Sequence, residues 1–138
     1  MLNDEMRQKL IQSAATVREK AYAPYSKYAV GAAILTKSGR IYTGINIENA
    51  AYPDSICAER VALFKAVSEG ERQFEAIAVV TSNGGTPCGS CRQVLSEFSL
   101  DMKVLIADQE CRLLSETNLS ELLPGAFRPD DLFSGQSE

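Results

Sequence analysis

The chain has 138 residues, 45% of them apolar and 23% charged, the size and balance of one globular domain rather than of a disordered or fibrous chain. A formal charge of -4 and a pI near 4.9 disfavour nucleic acid as a partner, and no run of about 20 apolar residues is present to cross a membrane. Histidine is absent, so proton transfer and metal ligation fall to carboxylates and thiolates.

Taken in chain order, the start Met1-Leu2-Asn3-Asp4-Glu5 lacks a secretory pattern, which predicts a cytoplasmic protein. From Asp4 to about Tyr22 the residues Met6, Leu10, Ile11, Ala14, Val17 and Ala21 recur at helical spacing, and Ala23-Pro24 closes that helix. Tyr28–Thr36 and the alternating Ile41–Ile47 predict a hairpin turning at Lys37-Ser38-Gly39-Arg40. Ser55 to about Glu69 is too apolar for a surface helix and predicts a buried one. Ala76–Thr81 is a β-branched run suited to a strand covered on both faces. Thr86-Pro87 suits a helix entry, with threonine as the cap and proline in the first turn, and that helix should reach about Phe98. A strand at Lys103–Ala107, another at Arg112–Glu116 and a short helix at Leu119–Leu123 follow, with a flexible tail after about Leu132. Strands alternating with helices predict a single α/β domain over residues 1–138, with a mixed sheet between helices in three α/β/α layers.

Cys57 stands at the start of the first buried helix, and Cys88 and Cys91, three apart, share one face at the start of the second. Helix N-termini carry partial positive charge and favour thiolates. Three sulfurs suit zinc and leave a fourth tetrahedral position for water, the pattern of a catalytic site. Disulfides are the alternative use of four cysteines, but a Cys-x-x-Cys pair in a cytosolic chain more often binds metal or does redox chemistry. Cys111 has no neighbouring cysteine and is expected to be a packed thiol. Glu59, two residues past a ligand, is placed to carry protons beside bound water, although a first-turn glutamate also suits the helix dipole. Three thiolates around Zn²⁺ leave a net charge of about -1, so a cation nearby is expected to compensate. Arg60 and Arg92 are the candidates, with plain solvent exposure the alternative for either.

Cys57-Ala58-Glu59 followed by Pro87-Cys88-Gly89-Ser90-Cys91-Arg92-Gln93 resembles the signature of the cytidine deaminases. Ala23-Pro24-Tyr25-Ser26-Lys27-Tyr28, Val30-Gly31-Ala32-Ala33, Gly44-Ile45-Asn46-Ile47-Glu48-Asn49-Ala50 and Leu122-Leu123-Pro124-Gly125-Ala126-Phe127 are similar to the small homotetrameric branch of that family. The resemblance implies a cytidine deaminase-like fold with one Zn²⁺ per subunit. It implies that water activated at the metal adds to C4 of cytidine or deoxycytidine, that Glu59 moves the protons, and that ammonia leaves. It further implies that Asn46 and Glu48 bind the ribose hydroxyls, that Ala58 reads the base edge and that Tyr28 stacks near the base, where phenylalanine is common in the family. Tyr52 and Phe127 would help complete a neighbouring subunit's site in a homotetramer.

Three other readings compete with this one. A related small tetrameric enzyme acts on blasticidin S, another cytosine nucleoside. A non-catalytic zinc module would recruit Cys111 as fourth ligand. An RNA-editing deaminase is disfavoured by the acidic charge.

Overall fold

The structure, a computed structural model, describes residues 2–136. Its elements are α1 (Asp4–Arg18), β1 (Gly31–Thr36), β2 (Ile41–Ile45), α2 (Ala58–Ser68), β3 (Phe74–Val80), α3 (Gly89–Ser96), β4 (Lys103–Ala107), β5 (Leu113–Asn118), α4 (Leu119–Leu122) and α5 (Pro129–Ser134), with a 3-10 turn at Tyr52–Asp54.

The five strands form one mixed sheet in the order β2-β1-β3-β4-β5. β1 is antiparallel to both β2 and β3, β3 runs parallel to β4, and β5 returns antiparallel. Leu10, Ile11 and Ala14 of α1 pack on one face, against Ala33, Leu35, Ala76, Ala78 and Val80. Ala58, Ala62, Leu63 and Ala66 of α2, with Leu95 of α3, cover the other face through Ala32, Ile34, Ile77, Val79 and Val104. β3 therefore alternates into two cores, which is why its sequence is apolar at nearly every position. The three-layer α/β/α expectation holds.

Element ends differ from the sequence expectation for identifiable reasons. α1 stops at Arg18, four residues before Tyr22, because the Tyr22 amide donates to Asn46 O at 3.0 Å and its carbonyl accepts from Glu48 at 2.9 Å. β1 begins at Gly31 rather than Tyr28 because the Asn46 side chain takes the place of a strand partner, donating to Tyr28 O and accepting from Val30 N, both at 2.9 Å. α2 starts at Ala58 rather than Ser55, since Ile56 is still paired with Ile47. In α3 the expected cap is wrong: Cys88, not Thr86, occupies the cap, its Sγ accepting from the Cys91 amide at 3.4 Å. The Thr86 hydroxyl instead accepts from Arg92 at 3.2 Å. At the other end, the chain beyond Leu132 remains helical as far as Ser134.

Gly44 sets how deeply α2 sits. A Cβ there would lie 2.4 Å from both Ala58 O and Ala62 N, so only glycine lets β2 approach the first turn of this helix. That turn carries Glu59 and is capped by Cys57, so the close approach fixes the floor of the site.

Candidate active site

The Cys57, Cys88 and Cys91 sulfurs lie within 4.8 Å of one another. Cys57 precedes α2, Cys88 caps α3 and Cys91 lies in the first turn of α3, so two helix N-termini converge on the trio. Arg60 Nη2 donates to the Cys57 sulfur at 3.4 Å. Arg60 Nε is buried and has no hydrogen-bond partner among the described residues, a second donor on the side chain already touching the trio. The hydrogen bond from Cys91 holds the Cys57 thiol down at about 5, against the opposing effect of burial and with help from Arg60 and Cys88. The same bond, with burial, pushes the Cys91 thiol up. The Cys57 thiol, held low beside two further sulfurs, readily exchanges its proton for a soft or borderline cation, and the donor set fits zinc.

Cys111 lies elsewhere, packed against the core on the α1 side, whereas the trio heads the helices on the opposite side of the sheet. It does not serve as a fourth ligand. Arg92 also leaves the sulfurs alone: it donates to Pro87 O at 2.7 Å and Leu122 O at 2.8 Å, tying the entrance of α3 to the end of α4. Of the two arginines expected to balance the thiolates, only Arg60 reaches them.

Beside the sulfurs opens a cavity of about 300 Å³, the small end of the range for small-molecule sites. Cys57, Cys88, Glu59, Tyr28, Asn46 and Glu48 all contribute to its lining. The Glu59 side chain is buried, and burial pushes its carboxyl up to about 7, with the Cys57 charge acting in the same direction and its own backbone amide and Arg60 opposing. A carboxyl so placed both accepts and releases protons near neutral pH. Glu48 accepts from the amides of Tyr25 at 3.0 Å and Ser26 at 3.1 Å and from the Ser26 hydroxyl, contacts led by Ser26 that keep it below its ordinary carboxylate value. It faces the cavity as an anion.

Other expected site residues stand differently. Ala58 is fully buried behind the cavity, where any contact to a ligand falls to its backbone. Tyr52 is 71% exposed and meets Tyr25 edge-on at 5.9 Å, at the outer margin of the site. Phe127 is 58% exposed and does not line this chain's cavity, and its carbonyl is held by Gln93 at 2.9 Å. Ser26, Thr81 and Gly85 belong to the walls, and Asn83 accepts from the Tyr28 hydroxyl; Ser26 and Asn83 were not singled out from sequence because their partners lie 22 and 55 positions away.

Residues 4–107 match the model of the cytidine and deoxycytidylate deaminase zinc-binding region. The cytidine deaminase of Sporosarcina psychrophila is 51% identical over 128 residues, covering 91% of this chain and 93% of that protein. The probable cytidine deaminase of Dictyostelium discoideum is 41% identical over 136 residues, covering 96% and 91%. The 1.6 Å crystal structure of cytidine deaminase from Burkholderia pseudomallei matches with a TM-score of 0.84 at 42% identity, over 91% of this chain and all of that one. A family match over residues 4–107, with half the sequence identical to a relative across nine-tenths of the chain and a shared fold, leaves one conclusion, that this chain belongs to the cytidine and deoxycytidylate deaminase family of zinc-dependent enzymes.

Proposed function

We propose that the protein hydrolyses cytidine and deoxycytidine to uridine and deoxyuridine, releasing ammonia, and so serves pyrimidine salvage. The observation that carries this reading is the buried Glu59 carboxyl in a cavity that Cys57 and Cys88, two of the three gathered cysteines, also line. Cys57, Cys88 and Cys91 would hold zinc, which would supply the Lewis acidity that makes a water molecule nucleophilic near neutral pH. Glu59 takes the proton that this water gives up as its oxygen bonds C4 of the pyrimidine. It delivers that proton to N3, then takes the proton of the new C4 hydroxyl and passes it to the exocyclic amine, so that the C4–N bond breaks as the C4 carbonyl forms and ammonia departs. Arg60 offsets the negative charge of three thiolates, which would otherwise weaken the metal as an acid.

At the sugar end, Asn46 has one amide hydrogen and spare acceptor capacity beyond its bonds to Tyr28 and Val30, and Glu48 has lone pairs for ribose hydroxyls. The fixed charge on Glu48 repels a phosphate, so nucleosides are preferred over nucleotides. Tyr28 forms the aromatic wall for the base, and the Ala58 backbone meets its polar edge. The exposed aromatics Tyr52 and Phe127 fit the reading that each completes a neighbouring subunit's site in a cytoplasmic homotetramer. An ultraviolet assay on cytidine, deoxycytidine and blasticidin S, run beside zinc analysis, tests the proposal. Loss of cytidine absorbance with one zinc per chain is the expected result, and turnover of blasticidin S alone would overturn the substrate assignment.

A further inference from the structure

The aromatic wall of the cavity is held by more than packing. The Tyr28 hydroxyl donates to Asn83 Oδ1 at 2.7 Å, across 55 residues of sequence. Asn83 sits in the loop between β3 and α3, and Thr81 pins that loop by accepting from Gly84 N at 2.7 Å and Gly85 N at 2.8 Å. A Cβ on Gly85 would stand 2.5 Å from the Tyr28 hydroxyl, so the loop closes directly onto the ring's tip. The tyrosine backbone is fixed as well: its amide donates to Ser26 Oγ at 3.0 Å and its carbonyl accepts from Asn46 at 2.9 Å. Ser26 is in turn bonded to Glu48. One chain of hydrogen bonds therefore runs from the sugar end of the cavity, through Tyr28, into the loop that leads to Cys88.

We propose that Asn83 is a positioning residue for substrate, holding the Tyr28 ring against the Thr81–Gly85 loop so that one wall of the base slot is fixed before the nucleoside enters. The proposal deepens the cytidine deaminase reading and rests on it. Asn83 acts through Tyr28 and not on the reacting atoms. Its removal should therefore weaken binding and leave the chemical step intact, because a preformed wall spares the ligand the ordering of a mobile ring.

The test is a double-mutant cycle on the zinc-loaded enzyme with Tyr28→Phe, Asn83→Ala and the two combined. Each single change should raise KM for cytidine and Kd for uridine about three- to tenfold, the net effect of one hydrogen bond. With kcat expected to stay within about twofold, the double variant should be no worse than either single one. Asn83 is exposed, so its substitution leaves the core intact. Asn83→Asp retains an acceptor for the hydroxyl and should keep KM closer to that of the wild type than Asn83→Ala does. Additive effects, a loss in kcat alone, or an unchanged KM in Asn83→Ala would overturn the positioning role. A wild-type enzyme that neither deaminates cytidine nor binds uridine would instead overturn the reading beneath it.

Discussion

At the scale of single residues, the proposed chemistry rests on Glu59, a buried carboxyl whose charged form is penalised by leaving water and whose pKa is thereby brought near neutrality. Glu59→Gln preserves volume and hydrogen-bonding capacity but cannot carry a proton. It should keep one zinc per chain and an unchanged circular dichroism spectrum while turnover of cytidine falls about 10²- to 10⁴-fold. Residual activity within tenfold of the wild type would assign proton transfer elsewhere. The sulfur trio and Glu59 were legible in sequence because metal chemistry demands particular residue types at short spacings, and a chain without histidine has few substitutes. Asn83 and Ser26 were not legible: a polar residue in a loop carries no sign of a partner 55 or 22 positions away, and only folding reveals it. Arg92 misled for a related reason. Adjacency to a ligand suggested contact with sulfur, but a helix turns each successive side chain by about 100°, and Arg92 points toward Pro87 and Leu122.

At the scale of elements, the type of nearly every helix and strand could be read from periodicity, whereas the ends could not. Ends are set by competition with tertiary partners, as at Tyr22, which leaves α1 to pair its backbone with Asn46 and Glu48. The turn between β4 and β5 shows such a partner acting on a local element. Asp108, buried there, accepts from the amides of Glu110 and Arg112 at 3.0 Å and from Arg112 Nε at 2.8 Å, with Cys111 at φ 64° between them. The Arg112 amide, followed by its guanidinium and against the opposing effect of burial, holds this carboxyl below its ordinary value. The unfolded chain therefore binds this proton more readily than the folded one. The stability contributed by Asp108 is complete above the ordinary Asp value of about 3.9 and is lost as pH falls through the lower folded value. Asp108→Asn should melt at lower temperature than the wild type at pH 7, and the gap should hold down to about pH 4 and narrow as pH falls further. Parallel melting curves across that range would show that the charge on Asp108 does nothing for this hairpin. The Glu116 carboxyl, held down in the same direction by Arg7, is present in both proteins and drops out of the difference.

At the scale of the whole molecule, one chain supplies the three sulfurs, the buried Glu59 carboxyl and the Asn46 and Glu48 side chains of the cavity, yet leaves large aromatic side chains facing outward. Tyr22, Tyr52, Phe64 and Phe127 are all about half exposed or more, and Phe64 lies on α2, whose other face is core. If subunits assemble so that Phe127 of each completes a neighbour's cavity, then a chain lacking Phe127 has an intact Glu59 but an unfinished site, and a Glu59→Gln chain has the reverse defect. Phe127→Ala and Glu59→Gln proteins should each be weakly active alone. Unfolded together and refolded as a mixture, they should recover activity, since some mixed assemblies pair an intact Glu59 with an intact neighbouring Phe127. Light scattering on the same mixture should report a mass of about four chains. A site completed by its own Phe127 behaves differently: each defect then stays within its own subunit, mixing repairs nothing, and the activity of the mixture is the average of its parts.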